Sequence, residues 1–105
     1  MSVVWTRKAL RRLEEIHDYI AVDAPRRADA FCDRLVAATE QLRLHLLSGP
    51  LLPEDAAYRQ LVIDGYRIVY RVADWEVYVM TVVSPGMLAS NALSGTDAHA
   101  SRSGY

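Results

Sequence analysis

The chain has 105 residues, and its 12 basic residues nearly balance its 13 acidic ones. This length predicts one domain with a modest core, and the balanced charge excludes the electrostatic signature of a general nucleic-acid binder. A single cysteine excludes an internal disulfide framework, charge appears too early for a signal peptide and no apolar run reaches membrane-spanning length, so we expect a cytoplasmic protein without membrane contact.

The first elements are a short strand and an amphipathic helix. Val3-Val4-Trp5 is β-prone, and Thr6 offers a hydroxyl that can cap a helix. The residues that follow place apolar side chains at steps of three and four, which predicts a helix from Arg7 to about Ala21. Its expected apolar stripe consists of Leu10, Leu13, Ile16 and Ile20.

A second helix is predicted after a break at residues 22–25. Pro25 suits the first position of a helix, and Ser48-Gly49-Pro50 is a typical stop. Between them one apolar stripe extends over more than five turns, as far as Leu46, so the two helices should form an antiparallel hairpin. The stripe consists of Ala28, Phe31, Leu35, Ala38, Leu42 and Leu46.

From residue 58 the apolar period becomes alternating, which indicates strands. We predict a loop over residues 51–57 and strands over 58–63, 66–72 and 76–83, with Asp64-Gly65 as a two-residue hairpin turn. The fold class is therefore α+β, a small antiparallel sheet with an N-terminal helical hairpin packed on one face. Residues 1–86 form the predicted domain, and residues 87–105 are predicted to be a flexible tail because apolar anchors are few there.

The hairpin register assigns three arginines to faces of the sheet. If Ile63 lies opposite Tyr66, Arg59 falls on the apolar face near its end and should reach out or find a partner. Arg67 and Arg71 then share the opposite face, where a guanidinium pair can bind phosphate or carboxylate. Arg59, Arg67 and Arg71 are the candidate binding residues, although strand arginines can also face solvent or pair with Asp and Glu within the chain.

No catalytic or metal-binding constellation is apparent. His17, His45 and His99 show no metal-ligand spacing with one another or with Cys32. Neither a phosphate loop nor a dinucleotide-binding glycine pattern occurs. We therefore predict no metal and no cofactor, and assign no catalytic residue.

The whole pattern resembles a known superfamily. The run WTRKALRRLEEIHDYIAVDAPRRADAF, followed by YRQLVIDGYRIVYRV and EVYVMTVV, is similar to the RelE/ParE toxins of type II toxin–antitoxin modules. The resemblance covers Val3 to Val83, with GYRIVYRV its most specific piece. The longer helical hairpin around Ile16 to Phe31 is typical of the ParE branch.

The two branches imply different targets. ParE-like toxins inhibit DNA gyrase, whereas RelE-like toxins are ribosome-dependent mRNA endoribonucleases that use several basic residues on the sheet and near the C-terminus. Carried onto this sequence, Arg67 matches a basic position of the ribonuclease pattern. Tyr58 and Gln60 replace two others, and Ser84-Pro85-Gly86-Met87 replaces the basic ending.

The resemblance therefore implies a ParE-like toxin that inhibits gyrase and is not an enzyme. It also implies a ParD-like antitoxin whose C-terminal segment wraps the toxin in a hetero-oligomer, with DNA contacted only through that antitoxin. Two alternatives stay open: a RelE-like enzyme acting on ribosome-bound mRNA, and a non-toxic remnant that binds only the antitoxin.

Overall fold

The computed structural model describes residues 2–87 and Leu93. In chain order the elements are β1 (Val3–Trp5), α1 (Arg7–Ala21), α2 (Pro25–Glu40), a 3-10 turn (Gln41–Arg43), β2 (Leu51–Leu52), β3 (Asp55–Ile63), β4 (Tyr66–Ala73) and β5 (Glu76–Val83). The tail predicted over residues 87–105 lies outside the described residues, apart from Met87 and Leu93.

Helix α1 has the predicted bounds and the predicted cap. The Ala9 N–H donates to Thr6 Oγ1 at 3.2 Å, and Thr6 Oγ1 in turn donates to the Val79 carbonyl at 2.8 Å. This contact holds the first turn close to β5, so the small Ala9 faces the sheet. Leu10, about 100° further around the helix, is 51% exposed, and its predicted place in the apolar stripe is wrong.

Helix α2 begins at Pro25 as predicted but ends at Glu40 rather than near Leu46. A 3-10 turn and a loop follow, and they still bury Leu42 and Leu46 against Tyr70 and Val77. Apolar spacing alone cannot distinguish a further helical turn from a tighter turn that buries the same leucines.

The five strands form one sheet in the order β1-β5-β4-β3-β2. The sheet is mixed, because β1 lies parallel to β5 whereas the other neighbouring pairs are antiparallel. The loop predicted over residues 51–57 instead contains β2 and the start of β3. Asp55-Ala56-Ala57 is a poor strand sequence, so its conformation depends on pairing with β2.

The predicted β3–β4 register is confirmed: Ile63 pairs with Tyr66, and Arg59 pairs with Tyr70. Asp64 and Gly65 have φ angles of 50° and 82°, as a hairpin turn with two left-handed residues requires. The β4–β5 turn has the same form at Asp74 and Trp75, with φ angles of 53° and 63°.

Side chains cover both faces of the sheet at its centre. The helical hairpin covers the first face, where its core packs on Ile68, Val79 and Val82. The second face carries a separate apolar cluster, formed by Leu52, Val69, Met80, Val83 and Leu93.

Candidate functional site

The structure places Arg67 on the second face, where it has an internal partner. Its Nη2 lies 2.8 Å from Glu54 Oε2, and its Nη1 donates to Glu54 Oε1 at 3.1 Å and to Gln60 Oε1 at 3.2 Å. The Arg67 and Glu54 side chains are 21% and 25% exposed. The hydrogen bonds that Arg67 donates to Glu54 raise the pKa of Arg67, against the opposing effect of burial. A carboxylate of this chain therefore occupies the position at which the sequence pattern suggested a partner's anion.

Arg71 lies on the same face and is held by an aromatic ring. Its guanidinium carbon is 5.8 Å from the centre of the Tyr78 ring on the neighbouring strand β5, a cation–π distance. Tyr78 packs in turn against the apolar cluster of the second face. Arg67 and Arg71, the expected pair of strand cations, therefore both contact side chains of the same chain.

Arg59 finds its partners in the loop between α2 and β2, the second of the two outcomes predicted for it. Its Nη1 donates to the carbonyl of Leu47 at 3.2 Å and to that of Gly49 at 2.8 Å. The Gly49 N–H donates to the Tyr70 hydroxyl at 3.0 Å, and burial raises the pKa of that hydroxyl. These bonds fix the path of the loop, so Arg59 has a structural task here.

The other positions that correspond to the ribonuclease pattern, residues 58, 60 and 84–87, hold no basic residue. Tyr58 packs against the second-face cluster, and Gln60 accepts a hydrogen bond from Arg67. At the end of β5 the Ser84 hydroxyl accepts from Arg12 Nη2 at 2.9 Å. Arg12 also donates to the Val82 carbonyl at 3.0 Å and forms an ion pair with Glu15.

Sequence reasoning missed both Glu54 and Arg12. Glu54 lies in a stretch that was predicted to be a loop, and Arg12 lies 72 residues before Ser84 in the chain. Neither residue belongs to a pattern that marks a binding site, and periodicity gives no signal for contacts between such distant segments.

His17 and Cys32 also have shifted pKa values. His17 Nε2 lies 2.6 Å from Asp29 Oδ1, and this hydrogen bond is the main cause of a raised His17 pKa. Burial raises the pKa of the Cys32 thiol, which disfavours the thiolate. Among residues 2–87 and Leu93 no group of three or more His, Cys, Asp or Glu side chains is placed to hold a metal ion. No helix in that part of the chain is long and apolar enough to cross a membrane.

Comparison with known proteins agrees with this architecture. The model of a family described as "ParE toxin of type II toxin-antitoxin system, parDE" matches residues 3–88. The curated protein "Toxin RelE2" of Caulobacter vibrioides is 37% identical over 82 residues, which are 77% of this chain and 91% of that protein. A solved structure titled "Chromosomal ParDE TA system from P. aeruginosa" superimposes with a TM-score of 0.73 at 24% identity, covering 81% of this chain and 96% of the other. This chain belongs to the ParE toxin family of type II toxin–antitoxin systems.

Proposed function

We propose that this toxin stops growth by binding DNA gyrase and is neutralised by a ParD-like antitoxin encoded beside it. Inhibition by binding needs a complementary surface and no catalytic group. The observation that carries the proposal is the internal pairing of Arg67 on the second face of the sheet. Its one arginine at a ribonuclease-like position is already bonded to Glu54 and Gln60.

Phosphate cleavage makes different demands on a site. A cleaved phosphodiester develops negative charge that cations must stabilise, and a positioned acid or base must transfer a proton. Arg67 can reach a phosphate only by exchanging Glu54 for it, and Tyr58 and Gln60 supply no positive charge. These features favour protein binding over RNA cleavage.

The RelE-like alternative keeps one specific argument, which is the name of the 37% identical relative, Toxin RelE2. The argument for the remnant alternative is that residues 84–87 replace the basic ending. Each alternative has its own cellular consequence, so one experiment separates all three.

That experiment expresses the chain from a tightly regulated promoter in cells that carry a DNA-damage-responsive reporter, while amino-acid incorporation is followed in the same culture. We expect growth arrest with early reporter induction and later loss of translation. Co-expression of the antitoxin should restore growth. Immediate loss of translation without reporter induction contradicts gyrase inhibition, and normal growth supports the remnant.

Purified components give the matching biochemical test. The toxin should inhibit supercoiling by gyrase, and addition of the antitoxin should reverse the inhibition. Messenger RNA in a programmed ribosome should stay intact under the same conditions. Codon-dependent cleavage of that RNA would overturn the proposal and assign the chain to the ribonuclease class.

A further inference from the structure

The turn between β4 and β5 carries a bulky side chain at a position that favours glycine. Asp74 and Trp75 form this two-residue turn, with φ angles of 53° and 63°. The β3–β4 turn has the same form but uses Asp64 and Gly65, with φ angles of 50° and 82°. A left-handed φ angle is unstrained for glycine and unfavourable for a bulky residue, whose Cβ crowds the backbone. One of the two turns therefore follows the usual residue preference, and the other departs from it.

Burial does not compensate for the strain at Trp75, because the residue is 74% exposed. Within the described part of the chain its ring stacks on no other ring, and no cation lies over it. An indole is a large apolar group with a single polar N–H, so its exposure to water is unfavourable. The fold therefore gains little from a tryptophan at this position, and contact with a partner is the better reason for it.

The same end of the sheet exposes a second large apolar side chain. Leu44 is 84% exposed and lies in the loop that follows α2 and its 3-10 turn. The nearby Leu42 and Leu46 are buried and pack with Val77, which lies two residues after Trp75. This packing holds the loop beside the β4–β5 turn, so Leu44 and Trp75 lie at one end of the molecule. Exposed apolar groups gathered in this way are typical of surfaces that bind other proteins.

The charges beside Trp75 distinguish a protein partner from a nucleic acid. Asp74 precedes it and is exposed, and Glu76 follows it and accepts a hydrogen bond from the Ser2 N–H at 3.0 Å. Two carboxylates therefore flank the indole, and they would repel the phosphates of DNA or RNA. The same carboxylates complement a basic surface, which any enzyme that holds DNA must present to the phosphate backbone. The charges thus favour a protein that processes DNA over the nucleic acid itself.

The shape of this end of the sheet distinguishes a folded partner from an extended one. A two-residue turn is convex, and the exposed side chain of Trp75 projects from it. An extended peptide binds in a groove or along the edge of a strand, and a turn supplies neither. A projecting aromatic side chain instead fits a pocket in a folded protein, and tryptophan is among the residues that contribute most to such interfaces. The occupant is therefore a large folded protein.

We propose that Trp75 anchors this toxin to gyrase, with its indole in an apolar pocket of the enzyme and Asp74 beside basic side chains that otherwise contact DNA. Leu44 contributes to the rim of the same contact. This inference rests on the proposed function, because it takes gyrase to be the target, and it adds the part of the toxin surface that binds. The contact accounts both for the exposed indole and for a turn that departs from the preference for glycine.

The test measures the concentration of full-length toxin that halves supercoiling by purified gyrase. Trp75→Gly removes the indole and gives this turn the same residue pair as the β3–β4 turn. The half-inhibitory concentration should rise at least about tenfold, because an aromatic anchor at the centre of an interface contributes that much or more to affinity. The midpoint of thermal unfolding should stay within about 3 °C of the wild type or rise, since glycine adopts this φ angle without strain.

Three further variants separate the indole from general effects. Tyr19→Ser is the matched control, because Tyr19 is 79% exposed and lies beside Asp64 at the opposite end of the sheet. Its half-inhibitory concentration should stay within about twofold of the wild type. Trp75→Phe keeps an aromatic ring and should raise that concentration less than Trp75→Gly does. Asp74→Asn keeps a residue that tolerates a left-handed φ angle and should raise it about threefold, since only the charge is lost.

Three results would overturn the assignment of Trp75 while gyrase remains the target. Wild-type potency of Trp75→Gly would show that gyrase contacts another part of the toxin. Equal weakening by Tyr19→Ser would indicate a general loss of apolar surface. Loss of affinity for the antitoxin in titration calorimetry, with inhibition of gyrase retained, would assign Trp75 to the antitoxin. If the wild-type toxin does not inhibit gyrase, the proposed function fails and this inference fails with it, which is a separate result.

Discussion

The two faces of the sheet are equally buried at their centre, but different parts of the chain cover them. Ile68 and Val69 are consecutive residues of β4, and neither is exposed to solvent. Ile68 packs under the helical hairpin, whereas Val69 packs against a cluster that includes Leu52 and Leu93. The helical hairpin covers the first face, whereas the cover of the second face includes the side chains of Leu52 in β2 and Leu93 late in the chain.

The charged side chains of the second face also have partners within the chain. An ion pair with Glu54 holds Arg67, and a cation–π contact with Tyr78 holds Arg71. The sequence pattern suggested the second face as a binding site, but its two arginines have partners within the chain.

Truncation of the two central side chains tests this comparison most strongly. Ile68→Ala should lower the free energy of unfolding by about 3 kcal/mol, and Val69→Ala should lower it by about 2 kcal/mol, through lost burial and a residual cavity. Val62→Ala is the control, because Val62 is 58% exposed and its loss should cost less than about 0.5 kcal/mol. Denaturant unfolding gives all three values, and a control-sized loss at Val69 would mean that the second face is not packed in solution.

Substitutions that disturb the loop between α2 and β2 should give the next largest loss of stability. A Cβ at Gly49 would lie 2.5 Å from the Gln60 carbonyl oxygen and 2.7 Å from the Tyr70 hydroxyl. Gly49→Ala should therefore destabilise the fold by about 2–3 kcal/mol, since backbone must move. Tyr70→Phe should cost about 1–2 kcal/mol, because the buried Gly49 N–H loses its acceptor. Both values come from thermal unfolding, and a neutral Gly49→Ala would contradict the tight approach.

The Arg67–Glu54 pair should contribute less, because about a fifth to a quarter of each side chain is exposed. A double-mutant cycle with Arg67→Ala and Glu54→Ala should give a coupling free energy of about 0.5–1 kcal/mol, which decreases as salt is added. A coupling near zero would indicate that the arginine is free to meet a partner's anion. That outcome would restore the second face as a binding site.

The smallest effect concerns the pH dependence of the helical hairpin. The hydrogen bond that the imidazole donates to Asp29 raises the folded-state pKa of His17 above 6.5, and Asp18, 3.5 Å away, adds to the shift. A raised pKa means that the charged imidazole stabilises the fold below pH 6.5, and that this contribution is lost as the pH rises through the folded-state value. The unfolding midpoint should fall slightly across this interval, and Asp29→Asn should flatten the change. An unchanged slope in Asp29→Asn would exclude the contact.

Local sequence determined the elements that can be recognised by period and by turn residues. The bounds of α1, the start of α2, the strand β5 and the β3–β4 register were all predictable from such signals. The reason is physical: capping, alternation and left-handed turns are satisfied by residues within a few positions of one another. Family membership was also predictable, since its motifs lie in these same elements.

Only the tertiary structure decided the features that depend on contacts between distant segments. The parallel pairing of β1 with β5 and the pairing of Arg67 with Glu54 both require partners that lie 13 or more residues away in the chain. The contact between the Phe31 and Tyr66 rings likewise forms only where α2 meets the start of β4. An arginine has the same sequence signal whether it is bonded or free, so its role is determined by the carboxylate or ring that the fold places beside it.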